Sequence, residues 1–140
     1  MKAEIRKLKL DDRVSLPGAV DKSKVPGVLS NGDIFLNTTN VDNTPVSVIE
    51  AMACGLPVVS TNVGGIPYLI ENEVTGLLVE PGNAGQMANA VLRLFTDQEL
   101  AQRISKNGRR LAESFDWGIV LPQWERLFSQ VAAGEQVALA

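Results

Sequence analysis

Asp42-Asn43-Thr44-Pro45-Val46-Ser47-Val48-Ile49-Glu50-Ala51-Met52-Ala53-Cys54-Gly55-Leu56-Pro57-Val58-Val59-Ser60 is the stretch that decides the architecture. Thr44 offers an N-capping hydroxyl and Pro45 a backbone pre-set for the first helical position, so a helix is expected from Val46 to Cys54. Gly55 stops it, because glycine adopts the left-handed conformation that closes a helix. Pro57-Val58-Val59-Ser60 then reads as a strand, a short apolar run of the kind buried on both faces.

Working outward, the same alternation repeats. Upstream, Asn31-Gly32-Asp33 breaks the chain before a strand at Ile34-Phe35-Leu36, and Val25 to Leu29 reads as a helix with Pro26 in its first turn. Arg13-Val14-Ser15-Leu16 reads as a strand stopped by Pro17-Gly18, and Met1 to Leu10 as a short amphipathic helix. Downstream, Gly64-Gly65 leads into a short helix, Ile66 to Ile70, and Gly76 to Val79 forms another strand. Helices come next at Ala84 to Phe95, Asp97 to Phe115 and Trp117 to Val131. Apolar strands separated by helices predict a parallel sheet covered on both faces, a Rossmann-like open α/β fold. In the last helix Trp117, Val120, Leu121, Trp124, Leu127 and Phe128 form an apolar stripe interrupted by Pro122, which is expected to pack on the chain's own sheet.

Composition bounds the function. A chain of 140 residues predicts one domain, small for an enzyme that must enclose two substrates. A net charge of −3 offers no basic surface for nucleic acid. The lone Cys54 cannot form an internal disulfide, and neither a signal peptide nor an apolar run of about 18 residues is evident, so a cytoplasmic location without a membrane segment is expected. With no histidine, histidine triads and histidine metal sites are excluded. Neither a phosphate-loop lysine motif nor a dinucleotide glycine fingerprint occurs, and no metal or cofactor is expected.

In an open α/β sheet ligands collect beyond the carboxyl ends of the strands. The polar loop Asn37 to Thr44 lies at such an end and delivers the chain to a helix N-terminus, whose unpaired N–H groups and partial positive charge suit phosphate. Asp42 is either a turn aspartate or a ligand contact. Glu50 interrupts an apolar helix expected to be almost wholly buried, so it needs backbone amides, a basic side chain or a polyhydroxylated ligand to satisfy its charge. Gly64-Gly65 serves either a tight connection or close approach of backbone to a ligand.

The run Asp42 to Val59, with Gly64-Gly65-Ile66-Pro67 and Thr75-Gly76-Leu77-Leu78-Val79 after it, resembles the core signature of retaining group 1 glycosyltransferases with the GT-B fold. The likeness covers about Arg13 to Trp124. The family carries two glutamates separated by seven residues; here the pair is Asp42 and Glu50, so the first side chain is one methylene shorter. The resemblance implies that Glu50 binds the ribose of a nucleoside diphosphate sugar, that Asp42 contacts hydroxyls of the donor sugar, and that the Asn43, Thr44 and Val46 amides meet phosphates and sugar. It also implies that Gly18, Ala19 and Val20 hold the base. Relatives transfer a sugar with retained configuration and without a bound metal, often in polysaccharide biosynthesis.

Set against that family, the chain reads as the C-terminal, donor-binding half without its first two strands, without the basic residues that grip the diphosphate, and without the acceptor-binding half. The unpaired edge this leaves predicts either that the Val14 strand pairs directly with Ile34 to Leu36 or that two chains complete each other's sheets. Two functions are compatible with this: a donor domain, inactive alone, that works with a separate N-terminal half, or a noncatalytic nucleotide-sugar-binding or oligomerisation module.

Overall fold

Val58–Thr61 (β2) is the middle strand of a parallel sheet, and all four of its residues are buried. Phe35–Asn37 (β1) lies on one side, with Phe35 opposite Val58, and Leu77–Val79 (β3) on the other, with Leu77 opposite Val59. The computed structural model describes residues 2–134, and among them the remaining elements are Lys2–Lys7 (α1), Val25–Leu29 (α2), Val46–Ala53 (α3), Ile66–Leu69 (α4), Ala84–Thr96 (α5), Gln98–Glu113 (α6) and Trp117–Ala132 (α7), with a single 3-10 turn at Lys22–Lys24. Met1, the expected start of the first helix, lies outside the described residues. No described helix is long and apolar enough to cross a membrane.

The strand expected at Arg13 to Leu16 is absent. The Leu10 carbonyl instead accepts the N–H groups of both Arg13 and Val14 at 3.0 Å, which curls the chain into a turn, and Gly18 at φ +79° bends it again before Ala19. Pairing of a Val14 strand with Ile34 to Leu36 is thereby overturned: a local turn satisfies the backbone that a strand would have left for a neighbour.

Successive side chains of a strand point to opposite faces, and β2 seeds two cores accordingly. Val58 packs with Val48, Ala51 and Met52 of α3 and Ile66 and Leu69 of α4. Val59 packs with Leu77, Val79, Leu94 of α5, and Leu100 and Ile104 of α6. Full burial of one such side chain contributes about 1.5–3 kcal/mol. Helix α6 spans both cores, with Ala112 on the α3 side, and Gly108 makes that crossing close: a Cβ there would lie 3.2 Å from both Met52 Cγ and the Thr75 carbonyl. Asn83 and Asp97 cap α5 and α6 by accepting from the N–H groups of Gln86 and Leu100, at 3.0 and 2.9 Å.

The two sheet edges differ. In a parallel ladder, alternate residues direct both backbone groups to the same side. Leu78 and Glu80 face outward from β3, and their N–H groups are taken by the Asn72 and Gln86 side-chain carbonyls, each at 2.9 Å. On β1 the Phe35 N–H reaches Pro57 at 3.0 Å, so Leu36 directs its backbone outward, where no partner meets it among the described residues.

Among the described residues, every buried one lies between Asn37 and Ala112. The α7 stripe does not pack on the chain's own sheet as expected. This helix buries no residue, Trp117 is 75% and Phe128 63% exposed, and Trp124 stacks on Phe128 of the same helix, with ring centroids 5.5 Å apart. The sheet face toward α6 is already occupied, so the stripe finds no room there.

Candidate functional site

At the carboxyl ends of β1 and β2 the apolar strands give way to buried polar side chains, Asn37, Ser60 and Thr61. Asn37 Nδ2 donates to Ser60 Oγ at 3.1 Å, and Ser60 Oγ donates to the Thr61 carbonyl at 3.2 Å. Thr61 Oγ1 donates to the Thr39 carbonyl at 2.6 Å, tying the end of β2 to the loop after β1. Burial requires such pairing, since an unpaired polar group costs about 1–3 kcal/mol.

That loop, residues 38–45, meets the connection from β2 to α4. The Gly65 N–H donates to the Asp42 carbonyl at 3.0 Å. Neither Gly64, at φ +54°, nor Gly65 tolerates a side chain: a Cβ would come within 2.0 Å of the Asp42 and Asn43 carbonyl oxygens respectively. The two glycines therefore serve close approach of backbone to the loop itself.

The loop ends at the N-terminus of α3, whose first residue is Val46. Thr44 does not cap it as expected; Pro45 occupies the N-cap position in an extended conformation, with no side-chain cap. Extended backbone at Pro45 places Thr44 one residue too far out to reach the first turn. The N–H groups of Asn43, Thr44, Val46 and Ser47 have no hydrogen-bond partner among the described residues. This leaves a cluster of donors, reinforced by the helix dipole, facing solvent.

Glu50 is exposed, contrary to the expected burial. Helix α3 buries the stripe Val48, Ala51 and Met52, and its other face has no covering layer, so even Val46 is 66% exposed. Residues 46 and 50 stand one turn apart, about 6 Å along the axis. Glu50 thus lies on the same open face as the free amides, available to a ligand and in no need of an internal counterion. Asp42 is half-buried at the loop's inner bend. Gly18, Ala19 and Val20 lie in exposed irregular chain with no hydrogen bond to this loop.

Thr61 is a site residue that sequence reasoning missed, although a Ser-Thr pair ending an apolar strand at a sheet's carboxyl edge was a usable signal. An apolar cavity of about 660 Å³ lined by Leu36, Thr38, Thr61, Met87, Val91 and Leu92 was missed as well. Its walls come from β1, β2 and α5, brought together only by the fold.

A parallel α/β sheet carrying a polar loop and an uncapped helix N-terminus at its carboxyl ends defines a Rossmann-like ligand-binding domain. The chain belongs to the glycosyl transferases group 1 family, which it matches over residues 1–111. Its similarity to N-acetyl-alpha-D-glucosaminyl L-malate synthase of Bacillus anthracis is 31% identity over 128 residues, covering 91% of this chain and 33% of that protein. The solved structure of Anabaena HepE in complex with UDP-glucose superposes with a TM-score of 0.84 at 27% identity, over 92% of this chain and 35% of that one. The C-terminal domain of a group 1 glycosyltransferase, LpcC of Francisella tularensis, matches with a TM-score of 0.73 and 26% identity, over 81% of this chain and 59% of that one. The structural neighbours are GT-B glycosyltransferases, and the chain spans about a third of the length of the curated relatives it matches.

Proposed function

We propose that residues 1–140 act as one domain, the C-terminal donor-binding part of a retaining glycosyltransferase, and that the ligand is a nucleoside diphosphate sugar. One observation carries the reading: the N–H groups of Asn43, Thr44, Val46 and Ser47 lie unpaired at the α3 N-terminus, with Glu50 exposed one turn further along the helix. Those amides suit a diphosphate, because donors that are fixed and unsatisfied bind an anion without reorganising. Glu50 accepts hydrogen bonds from a ribose, Asp42 from the sugar, and Gly18, Ala19 and Val20 form the base side of the pocket. Leaving-group charge is met by the helix dipole without a metal. The complex of HepE with UDP-glucose supports this choice of ligand.

Transfer itself calls for an acceptor-binding half in addition to these residues, and the chain alone is expected to bind without turning over. The work is cytoplasmic in this reading. Titration of the purified chain with UDP-glucose by calorimetry tests it. Saturable binding that Glu50→Ala abolishes is the expected result; binding indifferent to that substitution overturns the ribose role.

A second reading has its own support in the open edge of β1, the apolar cavity beside it and the uncovered α7 stripe. In it the domain is a noncatalytic nucleotide-sugar-binding or oligomerisation module that pairs with a second copy, whereas the first reading pairs it with an acceptor-binding half. Solution mass, alone and with such a half supplied, discriminates between them.

A further inference from the structure

We infer that Thr61 and the Gly64-Gly65 pair are positioning residues that aim the Asn43 and Thr44 amides at the ligand. This rests on the donor-site reading above. The loop 38–45 is polar, has no regular structure, and exposes most of its side chains. Ordering it costs backbone entropy at every residue, so its shape has to be held by specific ties. Among the described residues, the Pro45 carbonyl joins the loop to α3 by accepting the Val48 N–H at 3.0 Å and the Ile49 N–H at 3.4 Å; upstream of it, the hydrogen-bond ties to the rest of the fold are Thr61 Oγ1 to the Thr39 carbonyl, at 2.6 Å, and the Gly65 N–H to the Asp42 carbonyl, at 3.0 Å.

Both ties take a carbonyl, and that choice has a geometric consequence. A trans peptide unit is planar, with the C=O of one residue and the N–H of the next pointing opposite ways. Holding the Asp42 carbonyl against Gly65 turns the Asn43 N–H away from the β2–α4 connection. The Asn43 carbonyl also faces Gly65, close enough that a Cβ there would sit 2.0 Å from it, and this turns the Thr44 N–H outward in the same sense. Two successive donors are thereby presented beside the α3 N-terminus, and the glycines supply the flat surface that allows it. Thr61, nearly fully buried at the end of β2, sets where the loop departs.

The test uses Thr61→Val, which keeps the shape of the side chain and removes the donor, Thr61→Ser, which restores it, and Gly65→Ala. UDP-glucose affinity is measured by calorimetry, and amide exchange over residues 38–47 is followed against that of α6. Thr61→Val is expected to weaken binding about tenfold, the worth of one lost hydrogen bond, and to speed exchange in the loop while α6 stays protected; Thr61→Ser is expected to return both to the parent values. Gly65→Ala is expected to weaken binding further, and if it fails to fold the threonine pair carries the test alone. Parent-like loop exchange in Thr61→Val overturns the brace, and faster exchange with unchanged affinity overturns its role in binding. A parent chain that binds no UDP-glucose overturns the donor-site reading and the aiming role with it, whereas the exchange data still report whether the brace exists.

Discussion

Residues 37–112 and the two segments that flank them are built on different terms. The middle contains every buried residue among those described, organised as two cores on the faces of one short sheet. The flanks are equally rich in apolar side chains, with Leu8, Val14, Leu16 and Val20 before and Trp117, Trp124 and Phe128 after, yet none is buried. The whole of the first flank lies within the region matched to the family, in a chain that spans about a third of its relatives. The difference teaches that hydrophobicity states a need for burial, whereas satisfaction depends on a surface being available. In the middle β2 supplies two such surfaces; the flanks present their apolar residues outward, as contact faces for further protein under the proposed reading.

If that division is right, mutational cost should collapse on leaving the middle. The largest effect is expected from Met52→Ala, which empties a fully buried site beside Gly108: about 2–5 kcal/mol in denaturant unfolding. Next comes Asn72→Ala, which strips the Leu78 N–H of its partner and opens the finished β3 edge, at about 1 kcal/mol. A cost near zero there would erase the distinction between the two edges.

Glu73 sharpens the comparison through pH. Arg93 Nη2 donates to Glu73 Oε2 at 2.6 Å while Nη1 engages Oε1, clasping α5 to the turn before β3. This pairing holds the Glu73 carboxyl below its ordinary pKa, outweighing the opposing effect of its burial. A lowered folded pKa means that the stabilisation is present above the ordinary carboxylate pKa and is lost as pH falls through the lowered one. Both side chains are about half exposed, so Glu73→Gln should lower the melting midpoint at neutral pH by less than Asn72→Ala does, and the deficit should vanish in acid. The smallest effect is expected from Trp124→Ser on the exposed α7 stripe, within about 0.5 kcal/mol. A loss as large as that of Met52→Ala would show that α7 does belong to the core.

Legibility in the sequence divides along the same line. The α3–β2 unit could be read because its signals are local: a proline at the start, a glycine at the stop, an unbroken apolar strand. The Gly55 backbone indeed takes φ +80°. The candidate site was legible as a segment, since a polar loop before a helix is a local pattern as well. Its details were not. Glu50 reads as buried when α3 is judged by composition alone, but a helix on one sheet face covers only one side, and its open side carries Glu50. Val14 reads as a strand, yet a strand exists only when paired, and the Leu10 carbonyl captured its backbone first.

From Val25 onward the amino-acid sequence by itself determined the order of helices and strands, the parallel α/β class and the place where a polar loop meets a helix N-terminus, because each depends on neighbours within a few residues. Only the tertiary structure decided which face of α3 stays open and that Gly64-Gly65 lies against Asp42 and Asn43. Those outcomes depend on contacts between segments more than twenty residues apart, such as Thr61 with Thr39, and no local pattern specifies them.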